Sequence, residues 1–326
     1  MVFSANVPPD KKQAIMALWN ASQIQQYEKY LGLPPMVGRS KTQAFSEIKH
    51  KVWQRLQGWK HNLFSQGGRE VLLQSLALAI PSYAMSCFKL PSTLCTDIER
   101  MMAHSWWGQK KGERKIHWQS WNSMCKSKSL GGIGFKELEV FNMAMLGKQA
   151  WRLMQYKNSL LHKIYSARYF PDGNVLKASI GGNPSYTWRG KEAKNLLLQG
   201  GRWIVGNGTT IHILKDKWIP GISDLSRELR ANLQQHYYRH ADCPVASLID
   251  PHSRWWDLAK LRALFNPKLV EAILKLHPSH LGEEDFWVWE HEKSGIYSVS
   301  SAYNFFRTCL APDRGTCSNA SKRKKF

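Results

Sequence analysis

Two-metal polymerase and nuclease chemistry requires paired carboxylates that hold divalent cations. The 326-residue chain has only 24 Asp and Glu, and no two Asp are adjacent or alternate. Glu283, Glu284 and Asp285 form a run of three acids, directly before an alternating apolar segment, and this position reads as a solvated turn. His236 and His240 stand four residues apart with Cys243 nearby. A closed zinc site needs a fourth protein ligand, and nothing in the sequence nominates one. Neither GxSxG nor GxxxxGK[ST] occurs, and the 12 His show no spacing that identifies a general base. The sequence therefore assigns no catalytic residue, no metal and no cofactor.

What remains is electrostatic. Lys and Arg total 46, giving a formal net charge of +22, which favours polyanionic partners through phosphate contacts and counterion release. Arg39, Lys41, Lys49, Lys51, Arg55, Lys60 and Arg69 follow one another against the single acid Glu47, with Trp53 and Trp59 interleaved. Such residues could neutralise phosphates while an exposed Trp stacks on a base. At about 100° per residue, Lys51 and Arg55 flank one side of an apolar stripe and Lys49 and Lys60 the other. Long cationic side chains in those positions also snorkel from a core. Trp59 lies on the stripe and reads as core.

The elements that must position these residues are mostly helical in the first half. Phe45, Ile48, Val52, Leu56 and Trp59 recur at three- and four-residue steps, predicting a helix from Ser40 to Trp59, with Ser40 and Gln43 as a capping box. Arg69 to Ile80 predicts a second helix, apolar nearly all round and hence buried, that stops before Pro81. Its apolar run is too short to cross a membrane, which takes about 20 residues. Residues 92 to 107, and 136 to about 157, predict further helices; the latter contains no Gly or Pro except Gly147, and the turn LGGIGF precedes it. The second half changes character. RWIVGNGTTIHIL, residues 202 to 214, has the pattern of a β-hairpin about Gly-Asn-Gly. Further on, Phe286, Val288 and Glu290 alternate, and Ser300 or Ser301 could cap a closing helix. The expected fold class is mainly α in the first half and α+β in the second. Six scattered Cys without a CxxC suit free thiols in a reducing compartment, with Cys87 and Cys95 buried and inert. No targeting segment is evident at the N-terminus.

Several stretches together carry a resemblance: FSANVP at 3 to 8, YLGLPPMVGRSKTQAFSEIKHKVWQRLQGWK at 30 to 60, LFSQGGREVLLQSLALAIPSYAMSCFKLP at 63 to 91, and LGGIGFKELEVFNMAMLGKQAWRLM at 130 to 154. With SYTWRG, GRWIVGNGTTIHILKDKWIPG and SGIYSVSSAYNFF downstream, the chain resembles plant LINE-type non-LTR retrotransposon reverse transcriptases. The resemblance implies a palm end and primer-grip-like turn in 1–38, with Tyr30, Leu31 and Gly32 at the turn. It implies a thumb-like helical bundle in 39–165 and a connector in 166–241. The start of a zinc-binding-type domain would occupy 242–311, and 312–326 would be a disordered basic tail.

In that family the catalytic Ala-Asp-Asp precedes the Tyr-Leu-Gly segment, so the expectation is a catalytically inactive fragment, incomplete at both ends, whose cut edges expose Trp287 and Trp289. Cys309 and Cys317 lack metal-ligand spacing, so zinc binding and ribonuclease H activity are not carried over. The expected partner is RNA or an RNA–DNA duplex, bound without sequence specificity, with no membrane. The candidate contacts are Tyr30, Gly32, Arg39, Lys41, Lys49, Lys51, Arg55, Lys60 and Arg69. Two alternatives stand beside this: a thumb and connector that support RNA-directed DNA polymerisation with a palm supplied elsewhere, and a structural remnant with no selected function. Nucleus and mitochondrion both stay open.

Overall fold

The computed structural model describes residues 7–18, 32–33, 41–58, 64–108, 115–171, 175, 191–222, 225 and 243–310. The chain divides into two compact units, Met1–Asn142 and Met143–Phe326. The first is helical and the second mixes helices with a two-stranded sheet, as the residue patterns predict.

After α1 (Pro9–Leu18), the expected continuous helix from Ser40 is broken. α2 (Lys41–Ala44) ends and α3 (Ser46–Gln57) starts again, with Phe45 between them at φ −107° and ψ 8°. The break turns the Phe45 ring into the core, 5.6 Å from the Phe88 ring, while Ser46 Oγ donates to the Gln43 carbonyl at 2.8 Å. Val52 and Leu56 follow Phe45 into the interior. Ser40 and Trp59 lie outside the described residues.

The next helix runs through its proline. α4 (Gln66–Leu72), capped by Ser65 Oγ accepting from the Gly68 amide, passes into a π-turn at Leu73–Ala77 and then into α5 (Ala79–Cys87). Inside a regular α-helix the Pro81 ring would collide with the carbonyl four residues back, that of Ala77. The ladder widens just there, closed by the Leu78 amide donating to the Leu73 carbonyl at 3.2 Å, and so takes the ring without ending. Nor is the segment buried all round. Leu73, Ala77 and Met85 are interior, but Val71, Leu76 and Tyr83 are exposed.

α6 (Ser92–Trp106) buries Leu94, Ile98 and Met102 at helical spacing. After α7 (Trp121–Met124), the LGGIGF turn uses left-handed backbone at Gly131 and Gly134, φ +76° and +86°, which few other residues tolerate. It delivers Phe135 to stack on Trp121 at 4.9 Å. α8 (Leu138–Gln155) begins with its Leu138 amide held by Glu99 Oε1 at 2.6 Å. Asn142 is buried there and works as a clamp: Oδ1 accepts from the Leu90 amide at 2.8 Å, and Nδ2 donates to the Met85 and Phe88 carbonyls at 2.7 and 2.8 Å. It thereby satisfies backbone groups that the end of α5 leaves open.

In the second unit, α9 (Leu160–Tyr169) and α10 (Lys191–Gly200) precede β1 (Gly201–Ile204). The expected hairpin does not form. β1 pairs antiparallel with β2 (Phe286–Trp289), Gly201 opposite Trp289 and Ile204 opposite Phe286. The other half of the expected hairpin bonds elsewhere, with Ile213 donating to the Cys243 carbonyl and Val245 to that of Ile211. The Gly-Asn-Gly loop is gathered by Asp285. Oδ1 accepts from the Gly206 and Gly208 amides, both at 2.8 Å, and Oδ2 from the amide and hydroxyl of Thr210 at 2.9 and 2.8 Å. Asp285 is therefore a structural anchor rather than a residue of a solvated turn.

Burial explains why distant pairing wins. Trp287 and Trp289, expected at an exposed edge, are 6% and 0% accessible, and it is Phe286 that faces out. Beside them, Ile211, Trp218, Val245, Trp256, Phe265 and Ile273 share one core, with Trp218 stacked on Trp256 at 5.7 Å. α11 (Leu258–Leu264) and α12 (Pro267–Leu274) close that core, capped by Asp257 and Asn266. α13 (Val299–Leu310) is capped by Ser298, whose Oγ accepts from the Ser301 amide, and not by Ser300 or Ser301. Tyr297 just before it donates to the Ala144 carbonyl at 2.8 Å. A Cβ at Gly147 would lie 2.3 Å from that hydroxyl, which is why the helix carries a glycine there. No helix among the described residues is long and apolar enough to cross a membrane.

Candidate nucleic-acid interface

Among the sequence-predicted contacts, Lys49, Lys51 and Arg55 share α3, Lys49 on one flank of its buried stripe and Lys51 and Arg55 on the other. They do not form a bare cationic stripe. Lys49 Nζ reaches Asp97 Oδ2 on α6 at 2.6 Å, and Arg100 Nη1 reaches Oδ1 of the same carboxylate at 3.0 Å. The Lys49 hydrogen bond foremost, with Lys49 and Arg100 charge behind it, holds the Asp97 carboxyl below its ordinary value. A lowered carboxylate contributes stability above its unfolded value of about 3.9 and loses it as pH falls through the folded value, so this link between α3 and α6 persists at neutral pH. Lys51 pairs with Glu47 one turn back at 3.2 Å. Arg55 is exposed and makes no ion pair with a described residue.

The other predicted residues scatter. Arg69 is half-buried, donating from Nη1 to the Trp106 carbonyl at 3.4 Å, and its guanidinium lies against Gly108; this is an architectural position. Lys41 is exposed at the start of α2. Gly32 has φ +76° with open space around it. Tyr30, Arg39 and Lys60 lie outside the described residues, as do His236 and His240. No group of three His, Cys, Asp or Glu among the described residues could hold a metal ion.

A groove of about 550 Å³ runs beside Lys49, lined by Ser46, Glu47, His50 and Trp53 of α3 and Met101 of α6. Trp53 is 46% exposed, and the His50 imidazole stacks on it at 5.9 Å and 30°. Trp53 falls off the stripe that buries Val52 and Leu56, the sequence signal that marks it as outward. Met101 and Asp97 gave no such signal, because their roles depend on a helix some fifty residues away in sequence. Chemically the groove offers an aromatic face and the apolar Met101, with the Lys49 cation and the Glu47 carboxylate in its lining. Exposed ion pairs such as Lys51 with Glu47 contribute only about 0–1 kcal/mol, so Lys51 can exchange its carboxylate for a phosphate at little cost.

Over 144 residues the chain is 39% identical to an uncharacterized mitochondrial protein of Arabidopsis thaliana, an overlap that covers 44% of this chain and 94% of that protein. Over 289 residues it is 29% identical to an Arabidopsis thaliana protein provisionally named a ribonuclease H protein, covering 86% of this chain and 45% of the relative. The chain thus spans less than half the length of this second relative. No protein-family profile matches the chain.

Proposed function

The chain belongs to the plant protein family of the Arabidopsis uncharacterized mitochondrial protein, and on that premise we propose a retrotransposon-derived, LINE reverse-transcriptase-like protein that binds RNA or RNA–DNA duplexes without sequence specificity and does not polymerise. The observation that carries the reading is the half-exposed Trp53 beside Lys49 in the α3 groove, with Lys51 and Arg55 on the other flank of the same helix, in a chain with net charge +22. Phosphates would take the lysines and the arginine, which positions a backbone without reading bases. The thumb role implied by the resemblance supports the same face of α3 and α6.

A labelled RNA–DNA duplex titrated at several salt concentrations tests this. The logarithm of affinity is expected to fall linearly with the logarithm of salt, with a slope of about 0.9 per phosphate neutralised. Trp53→Ala with Arg55→Gln should weaken binding and flatten that slope. Absence of binding at low salt, or affinity indifferent to salt, overturns the reading. Primer extension by the chain with Mg²⁺ would overturn its inactive part.

A further inference from the structure

A second basic and aromatic surface lies wholly within the Met143–Phe326 unit, and none of the sequence-predicted contacts belongs to it. Two hollows of about 430 and 730 Å³ flank Arg152, Gln155 and Tyr156, which line both, and together they make up the groove on this surface. The first also takes in Lys148, Phe286 and Ile296, and the second continues past the end of α8 along Lys157. Among the described residues, no Asp or Glu lines either hollow. Tyr156, Phe286 and Ile296 are all more than half exposed, at 64%, 52% and 59%.

Its charge differs in kind from that on α3. Lys148 Nζ donates to the Tyr297 carbonyl at 2.8 Å and Arg152 Nη1 to Gln149 Oε1 at 3.4 Å, both neutral acceptors. Neither these two nor Lys157 forms an ion pair with a described residue, so no described carboxylate cancels their charge. Lys148, Arg152 and Tyr156 follow at four-residue steps, and the Tyr156 amide still donates to the Arg152 carbonyl at 2.9 Å. They therefore stand on one face, along about 12 Å of axis.

We propose that this groove binds a single-stranded polynucleotide, with phosphates on Lys148, Arg152 and Lys157 and bases stacked on Tyr156 and Phe286. Unpaired cations without a carboxylate select a polyanion. Exposed aromatic faces select unstacked bases, which a duplex keeps inside its own stack. A second copy of the chain is disfavoured as occupant because each copy carries +22. The site is independent of the α3 groove and does not require it.

The test uses the full chain, fluorescence anisotropy, and two labelled probes: single-stranded oligo-dT and an RNA–DNA duplex of equal length. Arg152→Gln with Tyr156→Ala should weaken oligo-dT binding about tenfold or more and leave duplex binding unchanged. Arg152→Gln alone should reduce the salt slope for oligo-dT by about 0.7, and Tyr156→Phe should restore stacking to the wild-type level. Both side chains are exposed, so folding should persist; equal far-ultraviolet circular dichroism confirms it, and Lys157→Gln provides an independent variant.

Oligo-dT binding that is absent, or indifferent to all these changes, overturns the proposal. So does equal competition by polyglutamate, which would show a polyanion surface without base stacking. Loss of self-association in the Tyr156→Ala variant, with oligo-dT binding unchanged, would make the groove a protein interface instead. The two readings fail separately: duplex binding lost through Trp53→Ala with oligo-dT binding intact leaves this site standing.

Discussion

Removing the Asp285 carboxylate should open the loop that holds β1 and the neighbouring core together. Its Oδ1 takes the amides of Gly206 and Gly208, both buried residues, whereas Thr210 on Oδ2 is exposed and can turn to water. An orphaned buried donor costs about 1–3 kcal/mol, so Asp285→Ala should destabilise the second unit by about 3 kcal/mol after some relaxation. Asp285→Asn keeps one oxygen for the two glycine amides and presents its NH₂ to Thr210, so about 1 kcal/mol is expected. Urea unfolding followed by Trp fluorescence reads the stability. Hydrogen exchange over residues 205–210 reads the loop itself, where protection should collapse in Asp285→Ala. Glu284→Gln, a change at an exposed neighbour, is the control. If Asp285→Ala costs no more than this control, or if the glycine amides stay protected, the anchoring role is wrong.

Asn142→Ala should destabilise the first unit by about 2–4 kcal/mol, because it strands the Leu90 amide and withdraws the donor from the Met85 and Phe88 carbonyls. Asn142→Asp should be worse still, since an oxygen then faces those carbonyls; thermal melts that rank Asp as milder than Ala would contradict the clamp. Brief alkylation mapped by mass spectrometry should modify exposed Cys309 and spare Cys95. Burial foremost, with Glu99 and Glu139 nearby, pushes the Cys95 thiol up to about 12, so raising the pH to about 9 should leave it unmodified until the chain is denatured. Equal labelling of Cys95 and Cys309 in the folded chain would count against that burial.

What the sequence revealed depended on how far apart the deciding residues lie. Leu94, Ile98 and Met102 mark their helix by spacing alone, and the paired burial follows from it. The Gly-Asn-Gly turn was legible as a turn but not as half of something else, because Asp285 and the Trp pair that override the local hairpin lie some eighty residues downstream. Phe45 fits the helical stripe and yet breaks the helix, since its ring meets Phe88 only after the helices pack. At the α3 groove, Trp53 could be read as outward, but the pairing of Lys49 with Asp97 belongs to tertiary structure. The groove past α8 is not legible in the sequence for a similar reason. Lys148 and Arg152 are spread among apolar core positions of the same helix, and Phe286 and Ile296 lie far downstream in sequence.

The wide turn at Leu73–Ala77 also sets a phase. A π-turn holds one residue more than an α-turn, so it rotates everything after it by about 100° relative to what came before. Deleting a single residue from this stretch would let a regular helix form. It would also swing the Met85 and Phe88 carbonyls away from Asn142, and drive the Pro81 ring into the helix behind it. Side chains on this helix can therefore vary far more freely than its length, and a one-residue deletion here should be more damaging than most substitutions.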